Sequence, residues 1–196
     1  MKNSSGIVII ILIGIVIVGF MSWSGSTKKD DNTTTAQNMN NDTKTGEQEG
    51  VMVGGAMMVQ SRDIVDNAVL ASNVTTVIAA IKAAGLVDTL KGAGPFTVFA
   101  PNNQAFEKLP QGTVETLLKP ENKAKLTSIL TYHVVSGRYT SADLKDGMML
   151  TTVQGEQLKI TIKDGTIMIN NAMVETKDVI SSNGVTYVID SVLMPK

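Results

Sequence analysis

The side chains that most often do chemistry are sparse in this 196-residue sequence, which has one histidine, His133, and no cysteine. A serine–histidine mechanism would have to use His133. That residue falls seven positions after Leu126, on the apolar face of a predicted helix, where a buried imidazole bonded to the backbone is expected. Zinc sites need several histidine or cysteine ligands, and the acidic residues follow no calcium-loop spacing. The sequence therefore predicts no catalytic residue, no metal site, no cofactor and no enzymatic activity.

Charge and aromatic content argue against nucleic acid as a partner. Lysine and arginine total 17, aspartate and glutamate total 18, and aromatic residues make up 4% of the chain. A nearly neutral chain offers no basic surface for a phosphate backbone. Scarce aromatic rings also leave few platforms on which bases could stack. We therefore expect no nucleic acid to bind.

The elements that would position His133 follow an order of helices first and strands later within residues 60–196. Asp63 and Asn73 are expected to begin helices, because the apolar residues that follow them are spaced three and four positions apart. Residues 96–100 have the β-branched and aromatic content of a strand. From residue 148 onward apolar and polar residues alternate, which also predicts strands. This order favours an α+β domain over alternating βαβ units.

The first 24 residues contain an uninterrupted apolar run over residues 7–21, preceded by Lys2. With its neighbours the run reaches the lower end of the roughly 17–25 residues that span a bilayer. The preceding positive charge favours a cytoplasmic N-terminus. We therefore expect residues 1–24 to be a transmembrane signal-anchor, or alternatively a signal peptide with Ser22 and Ser24 before the cut. Both alternatives predict an extracytoplasmic protein, either membrane-anchored by its N-terminal helix or secreted.

Residues 25–59 are expected to connect this segment to the folded domain. Residues 25–50 are rich in polar side chains and have almost no apolar content. Such a segment cannot bury enough surface to offset the entropy of ordering, so it is predicted to be a disordered linker. Residues 51–59 are apolar, but their paired glycines disfavour a helix. We expect them to run extended along the domain that follows.

Three stretches of the chain resemble the signature segments of a known family. The stretches Thr97-Val-Phe-Ala-Pro-Asn-Asn-Gln-Ala-Phe106 and Asn183-Gly-Val-Thr-Tyr-Val-Ile-Asp-Ser-Val-Leu-Met-Pro195 are similar to the first and second conserved boxes of the fasciclin (FAS1) family, also called beta-Ig-H3/fasciclin. Between them, Leu130-Thr-Tyr-His-Val-Val135 carries the family's Tyr-His pair. The resemblance covers residues 60–196 and is greatest to single-domain, exported microbial members. It implies a FAS1 fold, a wedge of β-strands with a helical layer.

The resemblance also implies adhesion to a protein or polysaccharide surface ligand on matrix, envelope or neighbouring cells. In animal members an Asp-Ile dipeptide and the Tyr-His pair are implicated in binding. The corresponding positions here are Lys177, Asp178 and Val179, with valine in place of isoleucine, and Tyr132 and His133. A structural role is the alternative for these residues, with Tyr132 and His133 in the core and Asp178 capping a turn.

A second function that the resemblance allows is an extracytoplasmic carrier of an apolar small molecule, because some fasciclin-type domains are reported to hold lipids or pigments. Methionine side chains are unbranched and polarizable, so they adapt to irregular ligands and suit an apolar cleft. The methionines that could contribute are Met148, Met149, Met168, Met173 and Met194.

Overall fold

The structure is a computed structural model that describes residues 50–196. Helices dominate this range up to residue 133, and strands dominate after it. The helices are α1 (Ile64–Ala68), α2 (Thr75–Ala84), α3 (Val87–Lys91), α4 (Asn103–Glu107), α5 (Thr113–Leu117) and α6 (Lys123–Tyr132), with a 3-10 turn at Pro120–Asn122. The strands are β1 (Gly50–Val53), β2 (Ala56–Val59), β3 (Phe96–Pro101), β4 (Val134–Ser136), β5 (Met149–Thr151), β6 (Gln157–Lys163), β7 (Thr166–Ile169), β8 (Ala172–Ser181) and β9 (Gly184–Ile189).

Seven of these strands form one sheet in the order β4-β3-β9-β8-β7-β6-β5. Strands β3 and β9 run parallel, and the other neighbouring pairs are antiparallel. An isolated bridge between Val135 and Thr152 joins the two outer ends of the sheet, which is thereby nearly closed into a wedge. The predicted α+β class and the strand wedge with its helical layer are confirmed.

Two hydrophobic cores lie on opposite faces of the sheet, because successive residues of a strand point to opposite sides. In β9, Tyr187 and Ile189 are fully buried inside the wedge, whereas Val188 faces the helices. The ring of Tyr187 stacks on Phe99, with ring centroids 5.5 Å apart. Other members of the helix-side core are Ile64, Val65, Val77, Ile78, Ile81, Leu126 and Leu130.

The turn before β9 fastens the helical layer to the sheet. The Asn183 side chain accepts a hydrogen bond from the Ile64 N–H at 3.0 Å and donates to the carbonyls of Leu90 and Gly92 at 2.7 and 2.9 Å. A Cβ at the next residue, Gly184, would clash with the Phe96 carbonyl oxygen. Glycine is therefore needed here for the close approach of β3 and β9.

Residues 51–59 form a hairpin and are not a single extended segment. Gly54 and Gly55 both have positive φ, 54° and 81°, the conformation of a two-residue turn that matches the twist of paired strands. Val53, Met58 and Val59 are buried, so the packed part of the chain begins before residue 60. No helix within residues 50–196 is long and apolar enough to cross a membrane. The predicted anchor, residues 1–24, and the polar linker up to residue 49 lie outside the described residues.

Candidate functional site

His133 caps the end of α6 and is 3% exposed. Its Nδ1 lies 2.8 Å from the Ile129 carbonyl oxygen, and its Nε2 lies 3.0 Å from the Leu193 backbone nitrogen. Because the Leu193 N–H can only donate, Nε2 is the acceptor and Nδ1 carries the hydrogen. Burial lowers the pKa of His133 from 6.5 to about 4, against the opposing effect of the Ile129 hydrogen bond. The ring is therefore neutral near pH 7 and holds residue 193 in place.

Tyr132, also buried, bonds to β6 and to the turn after β7. Its hydroxyl oxygen accepts from the Asn170 side-chain amide at 3.1 Å and donates to the Gln157 carbonyl at 3.4 Å. Asn170 in turn accepts from the Lys159 N–H at 2.9 Å. Tyr132 therefore fixes β6 and the turn after β7 against the end of α6.

Asp178 lies at an irregularity of β8. Thr176 pairs with Val188 and Val179 pairs with Thr186, so β8 carries one residue more than β9 across this interval. Asp178 takes up the bulge with a positive φ of 57°. This left-handed conformation is uncommon outside glycine, asparagine and aspartate.

The half-buried Asp178 carboxylate bonds to the loop that follows β4. It accepts from the Ser141 N–H at 2.7 Å and from the Ser141 hydroxyl, and the Tyr187 hydroxyl oxygen lies 3.4 Å from it. The single hydrogen of the Tyr187 hydroxyl is donated to the Tyr139 carbonyl at 2.8 Å. Burial, followed by the negative charge of Asp178, raises the pKa of Tyr187 above its ordinary value of 10. The carboxylate is thus engaged within the protein.

The two residues that flank Asp178 point in different directions. Lys177 is exposed, whereas Val179 is buried in the helix-side core. No hydrogen bond described within residues 50–196 joins the Tyr132–His133 pair to Asp178. The five residues therefore form two groups that no described hydrogen bond connects, and Lys177 is the one exposed residue among the five.

A surface feature that the sequence analysis did not predict lies beside the segment of residues 190–196, here called the strap. The strap is fixed at three points. The Lys108 ammonium lies 3.1 Å from the Asp190 carboxylate, Leu193 binds His133, and the Lys196 N–H donates to Glu156 at 3.1 Å. Burial acts to raise the pKa of Asp190, but hydrogen bonds from Met173 N–H and Lys108 hold it below its ordinary value.

An open cleft of about 1090 Å³ separates the strap from the outer face of β6. Its lining includes Met149, Lys159 and Met194. The alternating pattern of β6 indicated which of its residues face outward, and the methionine content suggested an apolar cleft, but neither located it. The cleft exists because the strap is held away from β6 by contacts with residues distant in sequence. No pattern within a few neighbouring residues predicts those contacts.

The described residues 50–196 contain no cluster of metal-ligating side chains. No group of three or more His, Asp and Glu side chains there could hold a metal ion. The neutral His133 ring has both nitrogens occupied by backbone partners, so it is not available to activate a nucleophile.

Comparison with known proteins agrees with this architecture. The chain is 47% identical over 148 residues to Protein sll1483 of Synechocystis sp., covering 76% of this chain and 82% of the relative. It is 46% identical over 110 residues to the Cell surface glycolipoprotein MPB83 of Mycobacterium bovis, covering 56% of this chain and 48% of the relative.

Among solved structures, a FAS1 domain pair of the insect cell adhesion molecule Fasciclin I superposes with a TM-score of 0.64 at 19% identity. The match covers 76% of this chain and 59% of the insect chain. This likeness shows the fold. The family model of the fasciclin domain matches residues 72–195, which span both boxes identified in the sequence. The chain belongs to the fasciclin domain family.

Proposed function

We propose that this protein is an extracytoplasmic, non-enzymatic adhesion module, held at the membrane by its N-terminal segment or secreted. Its partner would be a protein or polysaccharide on matrix, envelope or neighbouring cells. The observation that carries the proposal is the fasciclin domain at residues 72–195. One matched relative is named a cell surface glycolipoprotein and the matched solved structure a cell adhesion molecule.

We place the contact surface at the β8 bulge, where Lys177 is exposed. Asp178 and Val179 would shape this surface from beneath, because one bonds to Ser141 and the other is buried in the core. Tyr132 and His133 would support binding indirectly, by holding β6 and the strap. Exposed polar residues at a protein's surface contribute to specificity through charge complementarity more than through buried area.

Attachment of cells tests this proposal. We would compare the wild-type chain, a deletion of residues 50–196, Lys177→Glu, and Lys163→Glu as the matched control. Lys163 is likewise an exposed lysine on a strand of the same sheet. At equal surface abundance, the deletion should abolish attachment and Lys177→Glu should weaken it more than Lys163→Glu does. Unchanged attachment after the deletion would refute the adhesion function. Equal effects of the two substitutions would refute only the site.

A second candidate function is that of a carrier for an apolar small molecule, and the cleft of about 1090 Å³ beside the strap favours it. Pockets for drug-sized ligands usually enclose about 300–1,000 Å³. Native mass spectrometry of protein purified from cells without detergent tests this function. A bound species that adds a defined mass would support the carrier, and a clean apoprotein mass would count against it.

A further inference from the structure

The floor of the cleft is the solvent-facing side of β6. Leu158 and Ile160 are fully buried inside the wedge, so the alternation of the strand turns Lys159 and Thr161 outward. Both of these outward residues line the cleft. Lys159 therefore lies on a rigid strand whose underside is anchored in the core.

The cleft has apolar side chains on two sides of Lys159. Met149 lies directly opposite Lys159 in the register of β5 and β6, and Met194 comes from the strap. These methionines are 49% and 46% exposed, so each has apolar surface that a ligand could cover. Exposed, unbranched thioether chains can pack along an extended hydrocarbon, because they follow its shape without strain.

Lys159 brings a positive charge to this apolar setting. The ion pairs described within residues 50–196 use Lys91 and Lys108 and not Lys159. Glu156, an acidic side chain that lines the cleft, accepts a hydrogen bond from the Lys196 backbone. A ligand with an anionic group would therefore give Lys159 the charge partner that the described part of the protein does not.

The walls are already in place for a ligand. Asn170 bonds to both the Lys159 backbone and the Tyr132 hydroxyl, which fixes the floor. The His133–Leu193 hydrogen bond and the Lys108–Asp190 ion pair fix the strap. A preformed site lowers the entropic cost of binding, because few groups must be ordered when the ligand arrives.

We propose that this cleft binds a single amphiphile that has one anionic head group and an unbranched apolar chain. Lys159 binds the head group, and Met149 and Met194 pack along the chain. This inference rests on the carrier function and gives it a site and a ligand class. Equal occupancy of a co-purified ligand in the wild type, Lys159→Gln and Met194→Gln proteins would refute the site and leave the carrier function standing.

Calorimetric titration with dodecanoate tests the proposal directly. It uses residues 50–196, which contain both cores within one compact unit. The control substitution is Lys163→Gln, on the same outward face of β6 but outside the cleft lining. Decyl maltoside serves as the probe with a neutral head. Both probes are kept below their micelle-forming concentrations, and thermal unfolding confirms that each variant is folded.

We expect dodecanoate to bind with one-to-one stoichiometry and more tightly than decyl maltoside. Lys159→Gln should raise the dodecanoate Kd about three- to fivefold, as loss of an exposed charge pair predicts, and Lys163→Gln should not. Met194→Gln should raise the Kd for both probes by about fivefold, because it removes apolar contact from the chain. Added salt should weaken dodecanoate binding to the wild type more than to Lys159→Gln.

Equal effects of Lys159→Gln and Lys163→Gln would overturn the proposal, and so would the absence of saturable binding. A further arm uses phosphatidylglycerol vesicles. Co-sedimentation with these vesicles without binding of monomeric dodecanoate would also overturn the cleft as the site, because it would locate the interaction at a lipid surface.

Discussion

His133 and Asp178 belong to two regions that the fasciclin resemblance assigned to one binding function, and the fold uses them in contrasting ways. At the end of α6, a neutral ring is buried and bonds to two backbone groups, at Ile129 and Leu193. At the β8 bulge, a half-exposed carboxylate accepts bonds from the backbone and hydroxyl of Ser141. Each side chain fixes a segment that is distant in sequence: His133 joins the strap to the end of α6, and Asp178 joins the loop after β4 to β8.

The two side chains differ in the protonation state that their hydrogen bonds require and in the conditions that break those bonds. A buried imidazole is stable only while neutral, because charging it in an apolar core carries a large desolvation penalty. The carboxylate at the bulge keeps contact with water while it accepts its hydrogen bonds from Ser141. The end of α6 should therefore be sensitive to substitution and to acid, and substitution at the bulge should remove the contact with Ser141.

Replacing His133 with alanine should give the largest effect. The substitution leaves the Leu193 N–H and Ile129 carbonyl without their partners and opens a cavity, which together should lower the free energy of unfolding by about 3 kcal/mol. Denaturant unfolding of residues 50–196 measures this. Lys125→Ala, on the exposed side of the same helix, is the control and should change the value by less than about 0.5 kcal/mol. Equal denaturant midpoints of unfolding for His133→Ala and Lys125→Ala would contradict a stabilising role for the His133 hydrogen bonds.

Acid should produce an effect of about the same size. The unfolded chain protonates His133 near pH 6.5, whereas the folded protein does so only near pH 4. Between these values the unfolded state binds more protons, so the free energy of unfolding falls as the pH falls through this window. A difference of this size is worth about 3 kcal/mol in total.

Unfolding experiments at several pH values between 7 and 4 would measure this loss, and His133→Ala should flatten the profile. Asp190, whose pKa is held below 3.8, loses its contribution only at lower pH. The two groups can therefore be separated. A wild-type profile that stays flat down to pH 4 would show that His133 is not the controlling group.

At the bulge, Asp178→Ala should cost about 2 kcal/mol, because it removes the acceptors for Ser141 and places alanine in a left-handed conformation. Asp178→Asn should cost about half as much, since asparagine tolerates that conformation and keeps one acceptor oxygen. A double-mutant cycle with Ser141→Ala should show coupling of about 1 kcal/mol. Additive effects of the two substitutions would mean that the Asp178–Ser141 contact does not stabilise the bulge.

Much of the local structure could be predicted because its signals are local. Asp63 was expected to begin a helix, and its carboxylate does accept from the Asp66 N–H at 2.8 Å. The strand at residues 96–100 is β3, and the alternation after residue 148 places Leu158 and Ile160 in the core. Each of these depends on neighbours within a few positions of the chain.

The remainder depends on residues far apart in sequence. Helix α2 begins at Thr75 and not at Asn73, because the Thr76 N–H is capped at 3.1 Å by the side chain of Asn103. His133 and Leu193 are sixty positions apart. No periodicity or turn signal encodes such pairings. The fixed positions of the strap and of the loop after β4, and the cleft beside the strap, could therefore be found only in the folded chain.

The smallest expected effect on stability concerns Lys177. It distinguishes a residue that contacts the partner from one that only supports the structure of the bulge. Lys177 is exposed beside the engaged Asp178. Lys177→Ala should therefore change the free energy of unfolding by less than about 0.5 kcal/mol, whereas Asp178→Ala lowers it. If attachment of cells falls for both variants while stability falls only for Asp178→Ala, then Lys177 meets the partner and Asp178 shapes the surface that presents it. A loss of stability in Lys177→Ala equal to that in Asp178→Ala would instead make the whole bulge a structural element.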